Sequence, residues 1–541
     1  MKATIPCWLS ILVLLAPACG GDDRSDAGSS DAGVVDAPPR CPTGNPDYPL
    51  AQAVIEGDSP SFPSSAVPAG GGLPPFLWGT ATAPHQVEGG NVNSDWWAWE
   101  AAGRIANDDR SDDGPDHWTH YEADMDLMQA DGLNAYRLGI EWAKLFPTRA
   151  SFDAMTPDAA VVSHYHDVFA ALRARDIVPM VTLHHFVSPI WLIDPLAPVE
   201  ERKMMGFASP TIADDFALFA TWAATEYGGE VDLWITINEP LVIVLGGYLT
   251  GVFPPGLVYD PAEDLLARVV RGEIFAHAAA YDALHAIDTL DADGDGEPAL
   301  VSIAHHMRVF VGESPCTEAD ALAAERLQYL NDELFLNAIV RGDLDYNADG
   351  DLDDPDDGQA MPALVGRADF LGVNYYSLSL INGRVPISDL IPGLPSLTDT
   401  RTGLPVNDLG WAIHPAGLRT VLDRAAAYGL PIYVTENGVA DQGDGLRATF
   451  MVQHLHVLAQ AIAAGIDVRG YFHWSLMDNF EWVEGYCPRF GLYGVDFDDP
   501  ARRRTPSAGA AVYRSIVEAG MVPSSLVEAH STYDEPVRCT P

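Results

Sequence analysis

The stretch Pro-Ile-Tyr-Val-Thr-Glu-Asn-Gly, residues 431–438, carries the pattern that decides the fold. Its β-branched and aromatic run at 432–434 has the composition of a buried strand, and Asn437-Gly438 is a turn signal. Glu436 therefore stands where a strand leaves the core. A single glutamate at a strand end is often merely solvated, so a functional interpretation of Glu436 requires a partner.

Apolar runs of this kind recur along the chain and alternate with helical patterns, at 76–81, 134–140, 178–185, 233–239, 299–306, 369–376, 432–437 and 470–476. After the first of them, Tyr121, Met125 and Met128 fall on one helical face, and Gly132 ends that helix. Eight strands that alternate with helices in one long unit predict an α/β fold, a single parallel (β/α)₈ TIM barrel.

Composition limits the partners of the chain. The 541 residues are 48% hydrophobic, which is enough for a large core. The formal net charge of −47 comes from 77 acidic and 30 basic residues. Since no basic surface can dominate such a field, the sequence excludes a nucleic-acid partner.

The N-terminus has the pattern of a targeting sequence. In residues 1–18, Lys2 precedes an apolar run that is too short to span a bilayer, which predicts a signal peptide. The segment "LAPAC" resembles a bacterial lipobox, so we expect an exported lipoprotein, on the periplasmic or cell-surface face, whose only membrane contact is lipidated Cys19. The alternative is an ordinary signal peptide with an incidental cysteine.

The rest of the chain divides into three predicted segments. Residues 19–72 are acidic and poor in bulky apolar residues, which predicts a flexible tether. Residues 73–520 form the predicted barrel domain, and residues 521–541 form a C-terminal tail.

Four cysteines remain once Cys7 and Cys19 are set aside, namely Cys41, Cys316, Cys487 and Cys539. In an exported protein they predict two disulfides, for which three pairings exist. Because chain ends are often close in space, we expect Cys41 to pair with Cys539 and Cys316 with Cys487.

Polar side chains crowd the carboxyl ends of the predicted strands, at Arg137, His185, Asn238, Glu239, Asn374, Tyr375, Tyr376 and Glu436. That face carries the active site of a TIM barrel, so the partner of Glu436 is Glu239. Two facing carboxyl groups suit glycoside hydrolysis, in which one protonates the leaving oxygen and the other meets the oxocarbenium-like centre. Arg137 is placed to keep one glutamate ionised, while the other, beside the amide of Asn238, stays protonated. Metal binding is the alternative, but these strand ends lack ligands at metal spacing.

Two motifs then give a family resemblance. "WITINEP" at 234–240 and "YVTENG" at 433–438 resemble the acid/base and nucleophile signatures of glycoside hydrolase family 1, and the likeness covers roughly residues 73 to 515. It implies a retaining exo-β-glycosidase with Glu239 as acid/base and Glu436 as nucleophile. The implied substrate is a β-linked oligosaccharide or an aryl or alkyl β-glycoside with a terminal β-D-glucosyl residue, with β-fucosyl and β-galactosyl as alternatives. No cofactor is implied for catalysis.

Further motifs extend the resemblance, at 76–90, 182–186, 372–376 and 474–497. They imply supporting roles for Arg137, Asn238 and Tyr376. They also imply a sugar pocket formed by Gln86, His185, Asn238, Trp411, Trp474, Glu481, Trp482 and Phe490. Relatives that act on 6-phosphorylated sugars need a cationic or hydroxylic site where this chain has Glu481, Pro488 and Phe490. An unphosphorylated sugar is therefore expected.

One acidic stretch lies outside the family pattern. Residues 345–356 place possible calcium ligands at alternate positions, with Gly350 at position 6, and the ligands are Asp345, Asn347, Asp349, Asp351, Asp353 and Asp356. This predicts a structural calcium ion, although Asp356 replaces the usual final glutamate. The alternative is a solvated acidic loop.

Two function classes remain, a β-glycosidase and a surface carbohydrate-binding protein or degraded pseudoenzyme. Loss of Glu239 or Glu436 would have favoured the second class, and both are present. The sequence therefore favours the enzyme.

Overall fold

Eight parallel strands close into a barrel in the computed structural model. The structure describes residues 53–65, 75–260, 262–292, 296, 298–314, 317–386, 395–398, 403–537 and 539. The barrel strands are β1 (Leu77–Ala81), β2 (Ala135–Gly139), β3 (Val178–His184), β4 (Leu233–Asn238), β5 (Leu300–Gly312), β6 (Leu371–Pro386), β7 (Ile432–Asn437) and β8 (Val468–Trp474). Each of the eight predicted strands is present.

Strand pairing follows chain order around the barrel. Each strand pairs in parallel with the next, and β8 pairs with β1 in the register Leu77 to Gly470, which closes the sheet. Strands β5 and β6 run past the barrel rim, where Pro395–Thr398 adds an antiparallel strand to β6. The (β/α)₈ prediction is thus confirmed.

A long helix follows each strand before the next begins or the chain ends. These helices are α1 (His117–Ala130), α2 (Ala159–Arg173), α3 (Ile212–Tyr227), α4 (Leu265–Ile287), α5 (Glu318–Gln328), α6 (Pro415–Ala426), α7 (Arg447–Ala463) and α8 (Ala508–Ala519). In α1, Met125 and Met128 are fully buried and Tyr121 packs against the same core. Gly132 follows α1 with a φ of +74°, a conformation that favours glycine at a helix end.

Shorter elements lie in the loops. The helical turns are Pro84–Val87, Asp95–Ala101, Ala106–Asp108, Ser111–Asp113, Trp142–Leu145, Arg149–Asp153, Val199–Arg202, Gly206–Ala208, Pro240–Ile243, Val244–Leu249, Tyr329–Glu333, Leu334–Leu336, Asn337–Arg341, Trp482–Glu484 and Ser524–Ala529. Tyr493–Val495 and Arg504–Pro506 form a small antiparallel pair. Within the described ranges, no helix is both long and apolar enough to cross a membrane.

The segment 53–65 packs on the barrel, although it lies within the predicted tether. The backbone N–H of Phe62 donates to the carbonyl of Gly520 at 2.8 Å. The Phe62 ring meets Trp78 edge to face, with 4.7 Å between centroids. This end of the predicted tether is therefore part of the packed domain, because it supplies an aromatic side chain to the core. Cys19 and the other residues before 53 lie outside the described part.

The observed disulfide differs from the expected pairing. Cys487 bonds to Cys539, with 5.7 Å between their Cα atoms. Both expected pairs, Cys41 with Cys539 and Cys316 with Cys487, are therefore wrong. The reason is the path of the C-terminal tail, which reaches Cys487 in the loop after β8 and the segment before α6, where the N–H of Cys539 donates to the carbonyl of Asp408. Cys41 and Cys316 are not among the described residues.

Candidate active site

The predicted strand-end residues converge at the carboxyl face of the barrel. Side chains alternate along a strand, so Asn374 and Tyr376 share one face of β6 while Tyr375 points to the other and donates to the carbonyl of His414. The carboxyl face of the barrel contains a cavity of about 570 Å³. Ten of the twelve residues predicted for catalysis and sugar binding line it, namely His185, Asn238, Glu239, Tyr376, Trp411, Glu436, Trp474, Glu481, Trp482 and Phe490. Asp345 and Asn347, from the predicted calcium loop, line its outer part.

Glu436 is held by a cation and a hydroxyl. Arg137 Nη1 donates to Glu436 Oε1 at 2.5 Å, and Tyr376 Oη donates to Glu436 Oε2 at 2.6 Å. The Arg137 side chain is completely buried and Glu436 is 3% exposed. Since both donors bind the charged form of the carboxyl group, they favour ionised Glu436.

Glu239 sits in a different environment. It follows β4 with a φ of +44°, a left-handed conformation that is unfavourable for a residue with a side chain. Asn374 Nδ2 donates to Glu239 Oε1 at 2.8 Å. No cation lies within ion-pair distance of Glu239 among the described side chains. The left-handed backbone of Glu239 is a strained conformation, and such strain is typical of functional positions.

The two carboxyl groups have separated proton affinities. Burial, and then the charge of Glu436, raise the pKa of Glu239 to about 8. Burial also raises the pKa of Glu436, but Arg137 and the Tyr376 hydroxyl oppose that rise. Because the donors on Glu436 favour its charged form, a proton shared by the pair is favoured on Glu239.

Amide side chains connect the two glutamates. Asn238 Oδ1 accepts from Arg137 Nη2 at 2.7 Å and from Asn374 Nδ2 at 3.1 Å. Asn238 Nδ2 lies 3.1 Å from His185 Nε2. Asn238 therefore belongs to the network that joins the partners of both glutamates. The amide that donates to Glu239 is that of Asn374.

Asn374 was among the predicted strand-end residues, but the sequence prediction assigned it no role in the site. Its position at a strand end, two residues before Tyr376, was the available signal. Thr435 Oγ1 donates to Asn374 Oδ1 at 2.7 Å, which fixes the amide orientation so that Nδ2 faces Glu239. The motif alone could not show which amide reached the acid.

Polar groups from the segments that follow β1 and β8 meet at Glu481, which lines the cavity. Gln86 Nε2 donates to the carbonyl of Phe480 at 2.7 Å and approaches Glu481 Oε2 at 3.4 Å. Burial, and then the charge of Glu436, raise the pKa of Glu481 to about 8. Gln86 and Glu481 therefore form one hydrogen-bonding group, and their predicted contacts with sugar hydroxyls stay a prediction.

Aromatic rings form two walls. The rings of Trp474 and Trp482 stack with His185, at centroid distances of 5.8 Å and 6.1 Å. On the opposite wall, Phe490 packs against Trp411 at 6.3 Å and against Tyr376 at 6.2 Å. Such rings cover the apolar C–H faces of a pyranose.

Among the predicted sugar-binding residues, three buried polar atoms have no hydrogen-bond partner in the described part of the chain, namely Gln86 Oε1, His185 Nδ1 and Trp411 Nε1. Buried polar groups are normally satisfied, and each unsatisfied one calls for an explanation. Burial lowers the pKa of His185 well below its usual range, so its ring is neutral and carries one donor and one acceptor. These three atoms can accept or donate hydrogen bonds to sugar hydroxyls.

The acidic loop at 345–356 borders only the outer part of the cavity. Asp345 is buried and accepts from the Tyr329 hydroxyl at 2.6 Å and from the N–H of Gly350 at 2.8 Å. The carboxyl groups of Asp349 and Asp351 also accept from loop N–H groups. Within the described residues, no three His, Cys, Asp or Glu side chains are grouped to hold a metal ion. Calcium at Asp345, Asn347, Asp349, Asp351, Asp353 and Asp356 stays a prediction.

Comparison with known proteins agrees with this geometry. The family described as glycosyl hydrolase family 1 matches residues 73–521. A β-galactosidase from Pyrococcus woesei is 33% identical over 82% of this chain and 96% of its own length. β-Glucosidase A from Thermotoga maritima is 30% identical over 79% of this chain and 94% of its own. A β-glycosidase structure from Pyrococcus horikoshii superposes with a TM-score of 0.73 at 32% identity, covering 88% of this chain and 99% of that one.

Proposed function

Because this chain belongs to glycosyl hydrolase family 1 and is a glycosidase, we propose that it hydrolyses terminal, unphosphorylated β-D-glucosyl residues by double displacement, with Glu436 as nucleophile and Glu239 as acid/base. The observation that carries the proposal is the asymmetry of the pair. Glu436 has a cation and a hydroxyl donor, whereas Glu239 has one amide.

In the first step, the Glu436 carboxylate forms a bond to the anomeric carbon while the bond from that carbon to the leaving oxygen breaks. Glu239 gives its proton to that oxygen, so the aglycone leaves as a neutral alcohol. In the second step, Glu239 takes a proton from water, and the water oxygen displaces Glu436 from the sugar. The configuration at the anomeric carbon is retained after two inversions.

Glu481 and Gln86 support the choice of an unphosphorylated sugar as the glycone. Glu481 and Gln86 offer a carboxyl group and an amide to sugar hydroxyls, and neither carries the positive charge that would form an ion pair with a phosphate. The curated relatives are named β-galactosidase, β-glucosidase and 6-phospho-β-galactosidase, so the choice among these sugars needs a direct measurement.

A panel of 4-nitrophenyl β-glycosides tests the glycone. We expect kcat/KM to be highest for the glucoside, with fucoside and galactoside next and no turnover of the 6-phospho-glucoside. NMR of the first product should show the β anomer. A Glu436→Ala preparation controls for contaminating glycosidases. Preference for the phosphorylated sugar, or an α anomer as first product, would overturn the proposal.

Azide separates the roles of the two glutamates. Glu239→Ala should retain glycosyl-enzyme formation with activated aryl glycosides, and azide should accelerate its turnover because a small anion attacks without base assistance. The product is then a β-glycosyl azide. Glu436→Ala should show neither a burst nor a retained azide product. Rescue of Glu436→Ala with retained configuration would reverse the assignment.

The cellular location is a separate proposal, supported by the "LAPAC" segment and the acidic residues after it. We propose that lipidated Cys19 anchors the enzyme outside the cytoplasm and that Cys19→Ser releases it. Labelling with a fatty acid should mark the wild-type chain and leave Cys19→Ser unlabelled. A membrane-free, unlabelled wild-type chain would contradict the anchor.

A further inference from the structure

The cavity continues well beyond the sugar pocket. From Glu239 it extends between α4, α5 and the outer half of β5 as far as residues 345–348. Its total volume of about 570 Å³ falls in the range of about 300–1,000 Å³ that holds drug-sized ligands, which are larger than one hexose. We call this outer part the side chamber.

The walls of the side chamber are apolar. Leu266 and Val270 are four residues apart and share a face of α4. Leu327 and Leu330 face the chamber from α5 and the turn that continues it, and Leu245 lines it beside β4. Leu245, Leu327 and Leu330 are only half-buried and belong to none of the hydrophobic clusters among the described residues. Their exposed surface is therefore presented to the chamber.

Charged residues at the outer rim have partners. Glu263 accepts from Lys203 Nζ at 2.6 Å, and Asp345 accepts from the Tyr329 hydroxyl. Arg326 is exposed and donates to the carbonyl of Asp349 at 3.2 Å. The rim is thus satisfied within the protein.

Arg308 differs from the rim. It lies on β5, lines the chamber and is only 8% exposed. Its Nε is buried without a hydrogen-bond partner, and Nη2 reaches only the carbonyl of Leu378 at 3.4 Å. The nearby Asp332 carboxylate accepts from the Arg308 backbone N–H and pairs with Arg424 instead. No described carboxylate forms an ion pair with the Arg308 guanidinium.

A buried guanidinium without a counter-charge is unfavourable, since burial removes the water that stabilised it. Burial lowers the pKa of Arg308 to about 10, which still leaves it charged at neutral pH. An apolar chamber that contains one unpaired buried cation is complementary to an apolar molecule that carries one anionic group.

We propose that the aglycone of the natural substrate is an apolar acid, whose hydrocarbon body lies against the leucines of the side chamber and whose anionic oxygen group pairs with Arg308. This inference rests on the proposed function, because the aglycone reaches the chamber only if its glycosidic oxygen lies at Glu239. Arg308 is then a specificity-determining residue and takes no part in bond breaking.

Matched pairs of β-glucosides test this inference. One member of each pair carries an ω-hydroxyalkanoic acid as aglycone, and the other carries the n-alkanol of the same length, in a series of increasing chain length. We expect kcat/KM for the acid to exceed that for the alkanol at one or more lengths by roughly tenfold to a hundredfold, the range of a charge-assisted hydrogen bond.

Variants identify the residue responsible. Arg308→Gln should abolish or reverse the preference for the acid, and Arg308→Lys should restore part of it. Arg326→Gln changes the other arginine of the chamber, already bonded to loop carbonyls, and should keep the wild-type ratio. A binding readout is independent of turnover: free alkanoic acid should raise the Tm of the wild type and not that of Arg308→Gln.

Equal kcat/KM for acid and alkanol at every chain length would overturn the inference and leave the proposed function standing, provided the 4-nitrophenyl glucoside is hydrolysed. An acid preference that survives in Arg308→Gln would also overturn it. Failure to hydrolyse any glucoside, the nitrophenyl one included, would overturn the proposed function itself.

Discussion

The hydroxyl of Tyr376 provides a direct test of how the site keeps Glu436 ionised. It donates to Glu436 Oε2 at 2.6 Å, inside a buried pocket. Tyr376→Phe removes this donor and leaves the ring and its contacts with Trp411 and Phe490 in place. The change therefore isolates one hydrogen bond to the nucleophile.

The magnitude follows from the charge on the acceptor. A hydrogen bond to an ionised group contributes about 1.5–3 kcal/mol. One pKa unit corresponds to about 1.4 kcal/mol, so loss of the bond should raise the pKa of Glu436 by about one to two units. As the proposed nucleophile, Glu436 acts when deprotonated, so activity should be lost as pH falls through its pKa. The acid limb of kcat/KM should therefore move to higher pH in Tyr376→Phe.

The assay is a pH profile of kcat/KM with 4-nitrophenyl β-glucoside. Tyr375→Phe is the matched control, because the neighbouring hydroxyl donates to the carbonyl of His414 and does not reach the pocket. That variant should lose about 1 kcal/mol of stability and keep the wild-type acid limb. An unmoved limb in Tyr376→Phe, or an equal movement in Tyr375→Phe, would refute the reasoning.

Three further predictions concern other parts of the chain. As the proposed acid, Glu239 must be protonated, and its pKa is raised to about 8. kcat/KM should therefore fall as pH rises through about 8, and a flat profile there would contradict this assignment. Excess chelator should lower the Tm of the metal-loaded protein and calcium should restore it, while an unchanged Tm would remove calcium from the loop at 345–356. Breaking Cys487–Cys539 opens a loop with a sequence separation of 52 and should cost about 4 kcal/mol or less. Peptide mapping that finds either cysteine in another pair would contradict the bond.

The fold was accessible from the sequence because each unit carries the same local signal. Short apolar runs marked all eight strands, and in this architecture the strand count dictates closure. The site followed, since residues at carboxyl ends of strands far apart in sequence, such as Glu239 and Glu436, must meet on one face. Only the topology was needed for that step.

What the sequence could not supply depends on side-chain geometry and on loop paths. Which amide reaches Glu239 is decided by the Thr435 hydroxyl, which orients Asn374. Cysteine pairing depends on how the C-terminal tail returns, and no local pattern encodes that path. Arg308 lies on a predicted strand without any motif, and only the structure shows that its guanidinium is buried without a carboxylate.

The difference between the partners of the two glutamates also explains how one residue can serve as acid and then as base. The charge of Glu436 is the second-largest cause of the raised pKa of Glu239, after burial. In the proposed mechanism, esterification of Glu436 to the sugar removes that charge, so the pKa of Glu239 falls. Glu239, which has just given up its proton, is then stable as the carboxylate that the second step requires. Arg137 and Tyr376 keep the charge on Glu436 in the free enzyme, and so they set the proton on Glu239 before each turnover.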